Sequence, residues 1–281
     1  MNLQLGDNDH AVLMLHGLCG SPLELGSIPR MLQRMGCTVA WPDLPGYDNP
    51  DPAKCTPWQE WVANAELALA ELQETHASVS VCGLSMGATL ALALAERHEN
   101  IQSLVLLSPI LRYDGWSISR PLLALLRFAY FLGVRNWVWR ETEPYGIRNP
   151  ELQRRVAKAV AKGEVSEVGA ATLSARHLYQ AMQLMHDVHA NLSNVTADTL
   201  VMHAVDDETA APRNAEEILA GIRSETRKAF WLGDCYHIIT VDNEREVVTN
   251  EVVRFIEACL TLHRGEAHRP SRQRQALRDR R

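Results

Sequence analysis

A serine, a histidine and a carboxylate can together make a nucleophile of a hydroxyl group that is inert by itself. Ser85 lies in Gly83-Leu84-Ser85-Met86-Gly87, between the apolar run Val79 to Cys82 and the alanine- and leucine-rich stretch Ala88 to Ala95. This predicts a sharp turn from a strand into a helix, a setting that presents a serine hydroxyl for attack. Glycine is expected on both flanks because the turn forces a crowded, strained backbone in which a Cβ would clash.

The base should be a histidine, whose ordinary pKa of about 6.5 lies near working pH. Of the eleven histidines, His237 is best placed, in Gly233-Asp234-Cys235-Tyr236-His237 directly after an apolar run that ends near Leu232. A carboxylate must orient the imidazole. Asp206 and Asp207 both follow the run Thr199 to Ala204. Asp207 is the choice, since two residues let the chain turn over the sheet edge and Pro212 then opens a helix; Asp206 is the alternative. Oxyanion donors are expected from the backbone N–H of Met86 and from the loop His16-Gly17-Leu18-Cys19-Gly20, through the N–H of Leu18. His16 itself reads as a brace for that loop.

Such residues need a frame. Strands are predicted at Ala11 to Leu15, Cys37 to Trp41, Ser78 to Cys82, Leu104 to Ser108, Thr199 to Ala204 and Lys228 to Leu232. Ala11 to Leu15 is a continuous apolar run, the pattern of a strand buried on both faces, and Thr199 to Ala204 also reads as a buried strand. Helices are predicted at Leu23 to Met35, from Thr56 to about Thr75, after Ser85, at Arg213 to Gly221 and at Arg245 to Thr261. Thr56-Pro57-Trp58-Gln59 reads as an N-cap, an N1 proline and a capping partner. Alternating strands and helices imply a mostly parallel central sheet with helices on both faces. Loops leaving the C-terminal ends of its strands would converge on one crevice.

Residues 110–198 break this rhythm. The segment shows no strand pattern but several helical ones, at Pro121 to Phe131, Glu151 to Lys162 and Leu173 to Asp187, and it is rich in aromatics. It reads as a helical cap inserted between core segments 1–109 and 199–262. Residues 263–281 carry seven arginines and almost no apolar side chain, the composition of a disordered basic tail.

Composition sets the outer bounds. The chain of 281 residues, 46% hydrophobic with net charge −6, suits a globular protein without nucleic acid as its partner. Six cysteines without Cys-x-x-Cys spacing point to reduced thiols and a cytoplasmic setting. The longest apolar run, Pro121 to Val134, is interrupted by Arg127 and falls short of the roughly 20 residues that cross a bilayer. Peripheral membrane contact stays open, and oligomeric state is not legible. His177, His186 and His189 match no common ligand spacing, so no metal is expected; Gly-Lys-Ser/Thr is missing after the glycines, so no phosphate loop is either.

The order Ser85, Asp207, His237 is that of α/β-hydrolases. His16-Gly17-Leu18-Cys19-Gly20-Ser21-Pro22, the Gly-Leu-Ser-Met-Gly turn, Asp207-Glu208 ahead of Pro212, and His237-Ile238-Ile239-Thr240-Val241-Asp242 resemble the bacterial carboxylesterase and monoacylglycerol lipase branch of that superfamily. The resemblance implies the α/β-hydrolase fold and cofactor-free hydrolysis of small carboxylic esters with medium or long acyl chains. Leu18 and Tyr236 depart from that branch, which usually has phenylalanine and glycine there. Two alternatives use the same fold: an acyltransferase or thioesterase with the same triad, and a non-catalytic ligand-binding protein.

Overall fold

A computed structural model describes residues 1–140, 142–162 and 172–267. In chain order the elements are β1 (Asn2–Gln4), β2 (His10–Leu15), α1 (Ile28–Arg34), β3 (Thr38–Trp41), α2 (Trp58–Thr75), β4 (Ser78–Leu84) and α3 (Met86–Ala95). There follow β5 (Ile101–Leu107), α4 (Arg120–Phe131), β6 (Val138–Arg140), α5 (Pro150–Lys162), β7 (Thr172–Ser174) and α6 (Ala175–Asn191). The chain closes with β8 (Asp198–Ala204), α7 (Arg213–Gly221), β9 (Arg227–Leu232) and α8 (Arg245–Ala267).

Seven strands form one sheet in the order β1-β3-β2-β4-β5-β8-β9. All neighbours are parallel except β1, which pairs antiparallel with β3. The period-two alternation of strand side chains divides the core in two. Leu13, Leu15, Val81, Leu104 and Leu106 face the layer of α2, α3 and α6. Val12, Met14, Leu84, Val105 and Leu107 face α1 and α8. With both faces covered, the central strands must be apolar throughout, and β2 is buried at all six positions.

The structure corrects several expectations. The helix expected over Leu23 to Met35 is a short 3₁₀ turn at Pro22–Leu25 followed by α1. Gly26 separates them at φ +58, and a Cβ there would lie 2.4 Å from the carbonyl oxygen of Thr240. Thr56 does not cap α2. Its hydroxyl donates to the carbonyl of Pro45, and the Trp58 N–H is satisfied at 3.0 Å by Gln180 Oε1 of α6. The segment 110–198, read as strandless, contains the antiparallel pair β6–β7. Its last helix also belongs to the core layer: Ala181, Leu184, Met185 and Val188 of α6 are buried in the cluster built by α2 and α3. Helical periodicity reveals an apolar stripe without revealing its partner, so α6 looked like cap. Finally, α8 continues to Ala267, five residues into the expected tail; the rest of that tail, 268–281, lies outside the described residues.

Candidate active site

Four loops leave the C-terminal ends of β2, β4, β8 and β9 and meet at one edge of the sheet. They bring the three sequence-predicted side chains together. The Nδ1 of His237 lies 2.8 Å from Asp207 Oδ2, and its Nε2 lies 2.8 Å from Ser85 Oγ. A carboxylate only accepts, so Nδ1 carries the proton and Nε2 is left to accept from the serine hydroxyl.

The backbone at Ser85 is strained, at φ 58 and ψ −122. Its N–H is pinned at 2.8 Å to the carbonyl of Leu107. The flanking glycines are there for space. A Cβ on Gly83 would sit 2.2 Å from the Gly87 carbonyl oxygen, and one on Gly87 would sit 2.1 Å from that of Leu15. Close packing of α3 against β4 and β2 therefore thrusts Ser85 out beyond the strand end.

Asp207 is almost wholly buried, and its Oδ1 accepts from the N–H groups of Thr209 and Ala210 at 2.9 and 2.8 Å. Burial alone would push its pKa up. The charge and hydrogen bond of His237, with help from His203 and the Ala210 N–H, outweigh that and hold the carboxyl below the usual range. His203 was not foreseen. It is fully buried, with Nε2 donating to the carbonyl of Ala210 at 2.9 Å and lying 3.4 Å from Asp207 Oδ2. Burial lowers its pKa, although the charge of Asp207 opposes that shift. Asp206, the alternative acid, is turned outward and pairs with Arg148 at 3.0 Å.

Two further carboxyl groups line the cavity of about 120 Å³ at Ser85. Glu208 accepts the N–H of His237 at 3.1 Å through Oε2. Burial raises its pKa above the usual range. Glu24 accepts the N–H of Gly17 at 2.8 Å and is likewise raised by burial, although His16 and that N–H oppose the shift.

The loop after β2 is gripped on every side. Tyr47 OH donates to the carbonyl of His16 at 2.7 Å, and Cys19 N–H donates to the carbonyl of Tyr47 at 2.9 Å. His16 Nδ1 donates to the carbonyl of Gly17 at 2.9 Å, while its Nε2 lies 3.3 Å from Asp48. Burial opposes charge on His16, but Asp48 and Glu24 overcome it and raise its pKa. With the Gly17 carbonyl held, the Leu18 N–H of the same planar trans peptide points the opposite way. Leu18 and Met86 both line the Ser85 cavity. The Met86 N–H sits at the first position of α3, where no acceptor exists within the helix.

A second cavity of about 260 Å³ adjoins the first, sharing Tyr113, Tyr145, Gly146, Leu173, Glu208 and Thr209 with it. Residues from the inserted segment thus wall the chamber over Ser85. His177 is engaged elsewhere, with Nε2 3.0 Å from the Gly46 carbonyl and its ring stacked on Trp61. Among the described residues no group of three His, Cys, Asp or Glu side chains is arranged to hold a metal.

The chain is similar to a thermostable monoacylglycerol lipase from Bacillus sp. strain H-257, with 26% identity over 87% of this chain and 89% of that one. It is also 25% identical to a carboxylesterase from Bacillus subtilis strain 168, over 89% and 93% of the two chains. In fold it matches a structure from the work on LipS and LipT, two metagenome-derived lipolytic enzymes, with TM-score 0.76, 24% identity and coverage of 92% and 96%. The monoacylglycerol lipase of Paleococcus ferrophilus superimposes with TM-score 0.75 at 17% identity, covering 92% of this chain and all (100%) of that one. The family described as serine aminopeptidase, S33, matches residues 6–245. By that match and by its sheet, the chain belongs to the S33 family and is an α/β-hydrolase.

Proposed function

We propose that this protein hydrolyses carboxylic esters of medium or long acyl chains through an acyl-serine intermediate, with Ser85, His237 and Asp207 as the catalytic triad. One observation carries the reading: an unbroken hydrogen-bonded line from Asp207 through His237 to Ser85, with both links at 2.8 Å. In the first step the Ser85 hydroxyl gives its proton to His237 Nε2 while Oγ adds to the ester carbonyl carbon. The carbonyl electron pair moves to oxygen, and the N–H groups of Leu18 and Met86 receive that oxyanion. Collapse breaks the ester C–O bond, and the leaving alkoxide takes the proton from His237. Water then gives a proton to His237 as its oxygen adds to the acyl carbon. The acid departs when Ser85 Oγ leaves and recovers that proton.

The names of the two Bacillus relatives support an ester as substrate. The adjoining cavity supports a chain of some length, since Ile118, Leu123, Leu173 and Leu178 line it. The test is a series of p-nitrophenyl esters from butyrate to octanoate, run on wild type and Ser85→Ala. Turnover should fall on the order of 10⁶-fold in the variant, and wild-type kcat/KM should rise with chain length. A folded Ser85→Ala protein with normal turnover would end the acyl-serine reading. A series that falls from butyrate onward would end the chain-length reading.

A further inference from the structure

The loop after β5 carries one ring to a boundary between cavities. Tyr113 lines the cavity at Ser85, the adjoining cavity of about 260 Å³ and a further one of about 860 Å³. The last is a groove between α4 and α6. Leu123 and Ala124 wall it from one helix, Met182 and Met185 from the other, with Leu111 beside them. Among the described residues, Tyr113 and Leu123 alone are common to the second and third cavities, so these two side chains form the partition between them. The backbone that carries Tyr113 is tied on both sides. Before it, Asn214 Oδ1 accepts the N–H groups of Leu111 and Arg112, both at 2.9 Å. After it, the N–H groups of Asp114 and Gly115 donate to the carbonyl of Thr209 at 3.2 and 3.0 Å. Asp114 Oδ1 accepts from Asn214 Nδ2 at 2.9 Å and from the Ala211 N–H at 2.8 Å, and its other oxygen pairs with Arg213. The Tyr113 ring is half-buried and packs against the main core cluster.

We infer that Tyr113 is the specificity-determining residue that ends the acyl pocket and sets the longest chain the protein accepts. This rests on the ester-hydrolase reading above. A side chain on a backbone held from both sides keeps its place, so the ring acts as a fixed stop and not as a swinging gate. Up to the ring, each methylene leaves water for a wall that includes Ile118, Leu173 and Leu178, which is worth about fourfold in kcat/KM. At the ring that gain ends, because a longer chain must fold back or press on a group that cannot yield. Leu123 completes the partition from α4. Beyond it the groove is lined by Leu111, Met182 and Met185, and methionine adapts its shape to a chain laid along it. Removing the ring therefore opens a path from the chamber over Ser85 into further apolar surroundings.

The test is a series of p-nitrophenyl esters from butyrate to hexadecanoate, kept below their aggregation concentrations and run on wild type, Tyr113→Ala, Tyr113→Leu and Tyr113→Phe. Each protein's kcat/KM is divided by its own value for butyrate, so that a general loss of activity cancels. Wild type should rise through octanoate and reach a maximum beyond it. In Tyr113→Ala the maximum should move to longer chains, the normalised value gaining about fourfold for each further methylene admitted. Tyr113→Leu keeps an apolar group against the core while clearing the outer part of the ring. It should move the maximum the same way by less, and it decides the matter should the alanine variant fail to fold. Tyr113→Phe keeps the ring and should keep the wild-type maximum. A maximum that stays put in the alanine and leucine variants, or shifts to shorter chains, would overturn the inference. So would a phenylalanine variant that shifts as far as alanine, since the hydroxyl and not the ring would then set the limit. Wild-type turnover that survives Ser85→Ala would overturn the acyl-serine reading and this inference together, whereas an unmoved maximum with Ser85-dependent turnover would overturn this inference alone.

Discussion

Single side chains at this site do two jobs, and Glu24 illustrates the quieter one. It touches no triad member through a hydrogen bond, yet its carboxylate holds the Gly17 N–H one residue before a proposed oxyanion donor. Burial raises its pKa, so the folded protein binds this proton more tightly than the unfolded chain does. The group therefore favours folding at low pH, and that advantage is lost as pH rises from the unfolded value of about 4.3 through the folded one. Glu24→Gln keeps an oxygen for Gly17 and removes the ionisation. Its stability relative to wild type should rise as pH climbs above the ordinary carboxyl range of about 4, read as thermal midpoints. A difference that stays constant as pH rises would show the carboxyl is not strained by burial. Glu24→Ala removes the acceptor itself. Turnover should drop on the scale of one oxyanion donor, on the order of 10²–10³, with KM unchanged. Asp207 has the opposite sign. Its folded pKa is depressed, so its contribution is present above an unfolded value of about 3.9 and disappears as pH falls through the folded one.

At the scale of elements, the site depends on how closely α3 can approach β2. The Gly87→Ala variant puts a methyl group 2.1 Å from the Leu15 carbonyl oxygen and 2.4 Å from that of His16, and neither backbone can yield freely. Its urea midpoint should drop by an amount worth about 3 kcal/mol; an unchanged midpoint would mean that α3 can back away. This packing explains what was legible in the chain. The strands β2, β4, β5 and β8 are buried almost throughout and carry short apolar stretches because both faces are covered, so they could be read from the sequence pattern. Strands β1, β6 and β7 are three residues each, too short to show any period. The Gly26 break inside the expected first helix was missed because its cause is Thr240, more than two hundred positions away. Ser85, Asp207 and His237 could be picked out because each follows a readable strand at the same edge. Glu24, Tyr47, His203 and Glu208 could not be assigned their contacts, since each acts on a backbone group or ring that only the fold brings near.

At the scale of the whole molecule, the carboxylate of Asp242 ties the inserted segment to the loop of His237, the proposed base. Asp242, fully buried, accepts four backbone N–H groups: Arg148 at 2.7 Å and Tyr236 at 2.9 Å on Oδ2, Asn149 and Asn243 both at 2.9 Å on Oδ1. Arg148 and Asn149 begin the approach to α5 in the inserted segment, and Tyr236 directly precedes His237. The carbonyl of Gly146 reinforces the junction by accepting the Ile238 N–H at 2.8 Å. The inserted segment and the histidine loop are therefore fixed to each other as well as to the sheet. An asparagine at 242 has one oxygen instead of two, so two of the four N–H groups would face an amide NH₂. Each buried donor left without an acceptor costs about 1–3 kcal/mol. Asp242→Asn should lower the thermal midpoint accordingly, and it should reduce kcat for p-nitrophenyl butyrate because the Tyr236 peptide no longer anchors the imidazole. The second effect separates this arrangement from ordinary loss of stability. If kcat, measured well below the variant's own midpoint, equals that of wild type while the midpoint falls, Asp242 ties the inserted segment to the core but does not position His237.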